Sequence, residues 1–213
     1  TFEHVDPETV GNERRILVSD VAGTSTIAHK LEAIWPGVDR KDPFVRQVLD
    51  KVKDLENRGY EFEAADASLE LLARNIRGER EPFFILHGYR VILGKHEEGS
   101  EPFAEATVEL DIDGERYHTA ARGTGPVHAL DQALRKALKE KYPQLDGLEL
   151  TDYKVRVLEG THGTGTGVRV IIETTDGDGH ESWGTVGVHE NIIEASWQAL
   201  ADSLEYALLQ AGG

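Results

Sequence analysis

The segment between residues 89 and 208 contains the same pattern twice, and this internal duplication limits the folds that the chain can adopt. The tripeptide Tyr-Arg-Val at residues 89–91 returns as Tyr-Lys-Val at 153–155, and the pattern Ala-x-x-Gln-Ala-Leu at 129–134 returns at 195–200. The offset between the copies therefore drifts from 64 to 66 residues. We expect two similar half-domains with a cleft near a pseudo-twofold axis, which is a natural place for a ligand.

Each copy is predicted to be a β-β-β-α unit. Apolar and polar residues alternate from Ala104 to Ile112, which is typical of a strand with one buried face. Asp113-Gly114 then predicts a two-residue hairpin, and a further strand is expected around residues 117–121. A helix follows, which we expect to end at Pro143. Because each sheet has one apolar face, the amphipathic helices are predicted to pack on the sheets.

The second copy repeats this order, with strands predicted around residues 153–157, 168–172 and 181–188. Asn191 is predicted to cap the final helix, and Glu194 is placed to complete a capping box.

Residues 1–81 are predicted to form mainly helical linker subdomains. Asp42-Pro43 is a typical helix start, and a second helix is expected from Asp66 to Ile76. The polar segment 78–82 ends in proline and predicts a boundary. The second domain then spans residues 82–213, with repeats at about 83–143 and 148–210. The predicted fold class is α+β.

Composition excludes several classes of function. The formal net charge of −16 argues against nucleic acid and against anionic membranes as partners. The absence of cysteine excludes disulfides and thiolate chemistry, and the nine histidines lack metal-binding spacings. We expect no metal and no cofactor in these residues, and a cytoplasmic location. Because the sequence lacks methionine even at position 1, we expect it to be part of a longer or processed protein.

The candidate site lies at the two strand-to-helix turns. Free N–H groups and the helix dipole at such turns favour an anion, for example a carboxylate. The small residues would allow a ligand to approach the backbone, while ordinary helix capping is the alternative interpretation. The candidate residues are Gly123, Thr124, Gly125, Val127 and Ala129 at the first turn, and Gly187, Val188, Asn191, Ile193 and Ala195 at the second.

Four stretches of this sequence resemble the 2-isopropylmalate synthase/citramalate synthase family. The stretch His-Val-Asp-Pro-Glu-Thr-Val-Gly-Asn-Glu-Arg-Arg at 4–15 resembles the segment after the family's catalytic barrel. Residues 59–68 are similar to the linker of the citramalate synthase branch. The turns at 123–129 and 187–196 resemble the paired turns of the family's C-terminal allosteric domain.

The resemblance implies a parent enzyme that condenses acetyl-CoA with pyruvate to citramalate, a step toward isoleucine. Its chemistry would occur in a TIM barrel with a divalent metal, and that barrel is absent from this segment. The chain would be the regulatory and dimerisation portion of a homodimer and would bind isoleucine as feedback inhibitor. It is not expected to catalyse alone. Phe2 would lie near the partner subunit's active site.

Two alternatives remain open. The chain could be the leucine-sensing domain of a 2-isopropylmalate synthase, or a purely structural dimerisation module in which the turns are ordinary caps.

Overall fold

The computed structural model describes residues 24–39, 41–158, 167–177, 179 and 181–212. Three helices are followed by two β-β-β-α units, which confirms the predicted α+β class. The linker helices are α1 (Thr24–Ile34), α2 (Pro43–Asn57) and α3 (Asp66–Arg77). The first repeat contains β1 (Ile85–Gly94), β2 (Phe103–Ile112), β3 (Glu115–Gly123) and α4 (Pro126–Leu138). The second contains β4 (Glu149–Val157), β5 (Val168–Thr175), β6 (Ser182–His189) and α5 (Ile192–Gly212).

The linker helices build a second hydrophobic core, to which Val186 of β6 also contributes. Helix α2 begins as the sequence predicts, because the Asp42 carboxylate accepts a hydrogen bond of 2.9 Å from the Phe44 N–H and Pro43 takes the first helical position. The apolar faces of the three helices meet around the buried Phe62. The core residues of these helices include Ile27, Leu31, Val45, Val48, Val52 and Leu69.

Each repeat is a three-stranded antiparallel sheet covered by its own helix, and one continuous core joins both repeats. The predicted hairpin is present, with both Asp113 and Gly114 at positive φ (52° and 78°). Helix α4 ends at Leu138 rather than at the predicted Pro143, which instead opens a short 3₁₀ turn (Pro143–Gly147). After Leu138 the last turn tightens, since the Lys141 N–H bonds the Leu138 carbonyl three residues back (3.1 Å).

The duplication extends to details of the backbone. The pairing of β1 with β2 has an irregularity between Leu86 and Gly88, and β4 with β5 has one between Leu150 and Asp152, an offset of 64 residues. The Thr119 hydroxyl donates to the Ala133 carbonyl (2.7 Å), and the Thr185 hydroxyl donates to the Ala199 carbonyl (2.8 Å), an offset of 66. These pairs fix which residues of the two repeats are equivalent.

Within residues 24–39 and 41–77, the linker helices pack on the second repeat and not on the first. The Val186 N–H at the free edge of β6 donates to the Ser68 hydroxyl of α3 (3.0 Å), and the Val186 side chain belongs to the linker core. Arg169 of β5 forms an ion pair with Glu61. The outer face of the first sheet instead carries an exposed ion pair between Arg116 and Glu109 (2.9 Å). The two repeats therefore share a fold but have different surroundings.

A buried carboxylate lies where the linker meets α5. Glu205 is 3% exposed and accepts a hydrogen bond of 3.0 Å from the Phe83 N–H, while Arg80 is 3.8 Å away. Burial raises the pKa of Glu205 to about 7. Burial also raises the pKa of the neighbouring Asp202.

We expect Glu205→Gln to make the stability of the protein less dependent on pH. Between about pH 4.5 and 7 the unfolded chain is ionised at Glu205 while the folded protein keeps the proton, so wild-type stability falls as pH rises through this range. The variant should lose about 2 kcal/mol less than wild type over that range. Urea unfolding at pH 5 and pH 7.5 measures this, with the exposed Glu98→Gln as control. Equal pH slopes in the three proteins would contradict the assignment.

Candidate functional site

Each of the two turns lies beside the first strand of the other repeat. Tyr153 of β4 lines a cavity together with Val127 and His128 from the first turn of α4. At the other turn, the Tyr89 hydroxyl of β1 donates a hydrogen bond of 2.6 Å to the Glu194 carboxylate in the first turn of α5. The cleft between the repeats therefore has two equivalent ends, each formed by a helix N-terminus and a strand.

At the first turn, the start of α4 has no side-chain cap. Gly125 occupies the N-cap position with an extended backbone, and it has no side chain that could bond the helix N–H groups. Pro126 follows at the first helical position. The His128 ring instead bonds the backbone N–H of Thr124 through Nδ1 (3.2 Å). Pro126 has no N–H, and the Ala129 N–H bonds the Gly125 carbonyl (2.9 Å), so the Val127 and His128 N–H groups are those from which an anion at this terminus could accept hydrogen bonds.

A cavity of about 970 Å³ lies between α4 and β4, with Val127 and His128 of this turn in its lining. Ala121 and Val127 give it an apolar wall, and Gln132 and the partly buried Tyr153 add polar groups. Asp131 also lines it but is held by Arg135 in an ion pair of 2.9 Å. An aliphatic wall beside an uncapped helix terminus is suited to a small ligand with a carboxylate and an apolar side chain.

The second turn is capped by its own side chains. The Asn191 side-chain oxygen accepts from the Ile193 N–H (2.8 Å), as the sequence predicts. The predicted capping box is wrong, however. The Glu194 carboxylate bonds Tyr89, and the Asn191 N–H donates to His189 Nδ1 (2.9 Å). A partner from the other repeat outcompetes the local bond that the spacing of Asn191 and Glu194 predicts.

The structure divides the predicted first-turn residues between two roles. Thr124, Gly125 and Val127 lie at the turn itself, and Val127 also lines the cavity. Ala129 is fully buried beneath the turn. A Cβ added at Gly123 would lie 2.8 Å from the Ala129 Cα, so this glycine allows β3 to approach the helix closely.

The predicted second-turn residues are divided in the same way. Asn191 and the partly buried Ile193 lie at the turn, whereas Ala195 is fully buried. Gly187 and Val188 lie inside β6, before the turn. Gly187 faces α5, and the Val188 side chain packs against the linker core.

Sequence reasoning missed His128, Gln132 and Tyr153 as cavity residues. The repeated tyrosine at 89 and 153 and the repeated glutamine at 132 and 198 were the available signals, because each recurs at an equivalent position of the two copies. Phe2 lies outside the described residues.

The described parts of the chain contain no group of three or more His, Asp or Glu side chains that could hold a metal ion. Among the same residues, no helix is long and apolar enough to cross a membrane.

A duplicated β-β-β-α domain with a ligand-sized cavity at the contact between its repeats defines a class of allosteric domain. The chain belongs to the LeuA allosteric (dimerisation) domain family, whose model matches residues 63–208. This match begins before α3 and so includes part of the predicted linker.

Curated relatives confirm the resemblance to the citramalate synthase branch. The chain is 51% identical over 210 residues to the (R)-citramalate synthase of Aquifex aeolicus, covering 99% of this chain and 39% of that protein. It is 51% identical over 208 residues to the (R)-citramalate synthase of Geobacter sulfurreducens, covering 98% of this chain and 39% of that protein. The 2-isopropylmalate synthase of Methanocaldococcus jannaschii is 30% identical over 217 residues, covering 98% of this chain and 38% of that protein. The chain thus spans about 39% of the length of the first two relatives.

Proposed function

We propose that this chain is the regulatory and dimerisation portion of a citramalate synthase that condenses acetyl-CoA with pyruvate, and that it binds isoleucine as feedback inhibitor. The observation that carries the proposal is the uncapped N-terminus of α4 beside a cavity with an aliphatic wall. The family and the identity to (R)-citramalate synthases support the assignment to this enzyme.

The proposed ligand contacts follow from the first turn. The carboxylate of isoleucine would accept hydrogen bonds from the N–H groups at the start of α4, where the helix dipole also favours an anion. The branched side chain would pack against Val127 and Ala121. The ammonium group would pair with the Glu149 carboxylate, which lines the same cavity, and Gln132 offers a side-chain oxygen as a further acceptor.

Regulation would act through the packing of the repeats. A ligand between α4 and β4 favours the arrangement in which these two elements enclose it, and this difference in affinity is the coupling free energy. The linker helices share a core with β6, so a shift of the second repeat would reach the linker directly. The catalytic barrel with its divalent metal would belong to the longer protein.

Homodimer formation is part of the proposal. Leu93 and Val157 occupy equivalent positions at the ends of β1 and β4 and are 63% and 65% exposed. Both lie on edge strands, where apolar surface favours association.

Titration of the chain with isoleucine, leucine and valine by calorimetry tests the proposal. We expect isoleucine to bind most tightly and to stabilise the fold by about 2.7 kcal/mol at one hundred times its dissociation constant. Preference for leucine would instead favour a 2-isopropylmalate synthase, a candidate supported by the relative of that name. If the chain is a folded dimer but binds none of the three amino acids, the purely structural dimerisation module is the better interpretation.

A further inference from the structure

The two ends of the cleft are built from equivalent residues that differ in chemistry. With the offset of 64 residues in the first strands, Tyr89 corresponds to Tyr153. With the offset of 66 residues in the helices, His128 corresponds to Glu194, Leu130 to Ser196 and Asp131 to Trp197. Each first strand thus presents a tyrosine at the cleft, but its surroundings differ.

At the second end, side chains of the chain itself fill the space. The Trp197 ring stacks on Tyr89 with centroids 5.7 Å apart, and only 6% of Trp197 is exposed. Tyr89 reaches across to Glu194, and burial together with this carboxylate raises the pKa of Tyr89. This end is therefore closed by two aromatic rings and a hydrogen bond between the repeats.

At the first end, the equivalent tyrosine turns toward its own repeat. The Tyr153 hydroxyl bonds the Ser196 hydroxyl (2.8 Å), whereas Leu130 offers Tyr89 no such partner. Asp131 is smaller than Trp197 and is held by Arg135. Neither Tyr153 nor Asp131 fills the space between α4 and β4, and this space is the cavity.

We propose that the second turn is a closed copy of the ligand site, in which Trp197 and Tyr89 occupy the space that a ligand takes at the first turn. The chain accordingly binds one effector molecule, at α4, while the second end acts as a fixed contact between the repeats. The stoichiometry rests on the proposed function of the first turn, whereas the closure rests on the packing alone.

Closure is tested without any effector. In the Trp35→Phe/Trp183→Phe variant, Trp197 is the sole tryptophan, because the sequence contains three. We expect acrylamide to quench its fluorescence several-fold less than that of free tryptophan, and Tyr89→Ala in this background to raise the quenching. Quenching equal to that of free tryptophan before the Tyr89 change would overturn the closure.

Stoichiometry is tested by calorimetry of the wild-type chain and of Gly125→Leu with isoleucine. The expected result is one site per chain in wild type, and in Gly125→Leu the same site weakened at least about 100-fold. Two sites per chain, or a site whose affinity is unchanged in Gly125→Leu, would overturn the proposal. If wild type binds no amino acid while Trp197 is shielded, the proposed function fails and the closed second turn is supported by quenching.

Discussion

Replacing Gly187 by alanine is expected to lower the free energy of unfolding by about 3 kcal/mol, the upper end of the usual cost of overpacking a core. A Cβ at this position would overlap the carbonyl oxygen of Ala195 and would lie 2.9 Å from the Gln198 Cβ. Both atoms belong to α5, whose backbone cannot move without disturbing its packing on β5 and β6. Urea unfolding monitored by circular dichroism gives the free energy.

The matched control is Gly88→Ala, which lies in β1 and would place its Cβ in open space. This control should change stability by less than about 1 kcal/mol. An equally mild effect at Gly187 would show that β6 and α5 can separate, and would reopen a direct role for this glycine in ligand binding.

Replacing Gly125 by leucine is expected to weaken isoleucine binding at least about 100-fold, equivalent to about 2.7 kcal/mol. Gly125 has an extended backbone (φ −158°) that any residue adopts, and no atom lies within 4 Å of an added Cβ. The fold should therefore tolerate leucine, while its side chain would block the approach to the first turn of α4. Calorimetry measures the affinity, and urea unfolding checks that the variant remains folded, with a loss of no more than about 1 kcal/mol because leucine is a poorer N-cap residue than glycine.

The control for this variant is Asn191→Ala at the equivalent position of the second repeat. Loss of the Asn191 cap should cost about 1 kcal/mol of stability but leave isoleucine affinity intact. In the full-length protein, Gly125→Leu should retain basal turnover and lose inhibition. If isoleucine still inhibits the full-length Gly125→Leu variant as it does wild type, the effector does not bind at the first turn.

The parts of the fold set by local pattern could be predicted from the sequence. The alternation in β2, the Asp113-Gly114 hairpin and the Asp42 and Asn191 caps depend on residues a few positions apart, and all four are present. The duplication added the correct order of elements.

The features that the sequence left open depend on contacts between distant segments. Glu194 has the spacing of a capping box, but Tyr89, which is 105 residues away, offers it a hydrogen bond inside the cleft. Glycine is a common turn residue, which is why the sequence predicts Gly187 at the turn. The structure instead shows that it allows β6 to approach α5 closely. Tyr153 lines the cavity while its hydroxyl bonds Ser196, which lies 43 residues further along the chain.

The core shared by the linker and β6 has a consequence for engineering this domain. Gly184 packs so closely on the Ala64 carbonyl that no larger residue fits, and the Ser68 hydroxyl accepts a hydrogen bond from the Val186 N–H at the β6 edge. A chimera joined in the polar segment 78–82 would leave Val186 and this edge uncovered. A regulatory module transferred to another enzyme should therefore include α3 and the buried Phe62, because these residues cover the outer side of the second sheet.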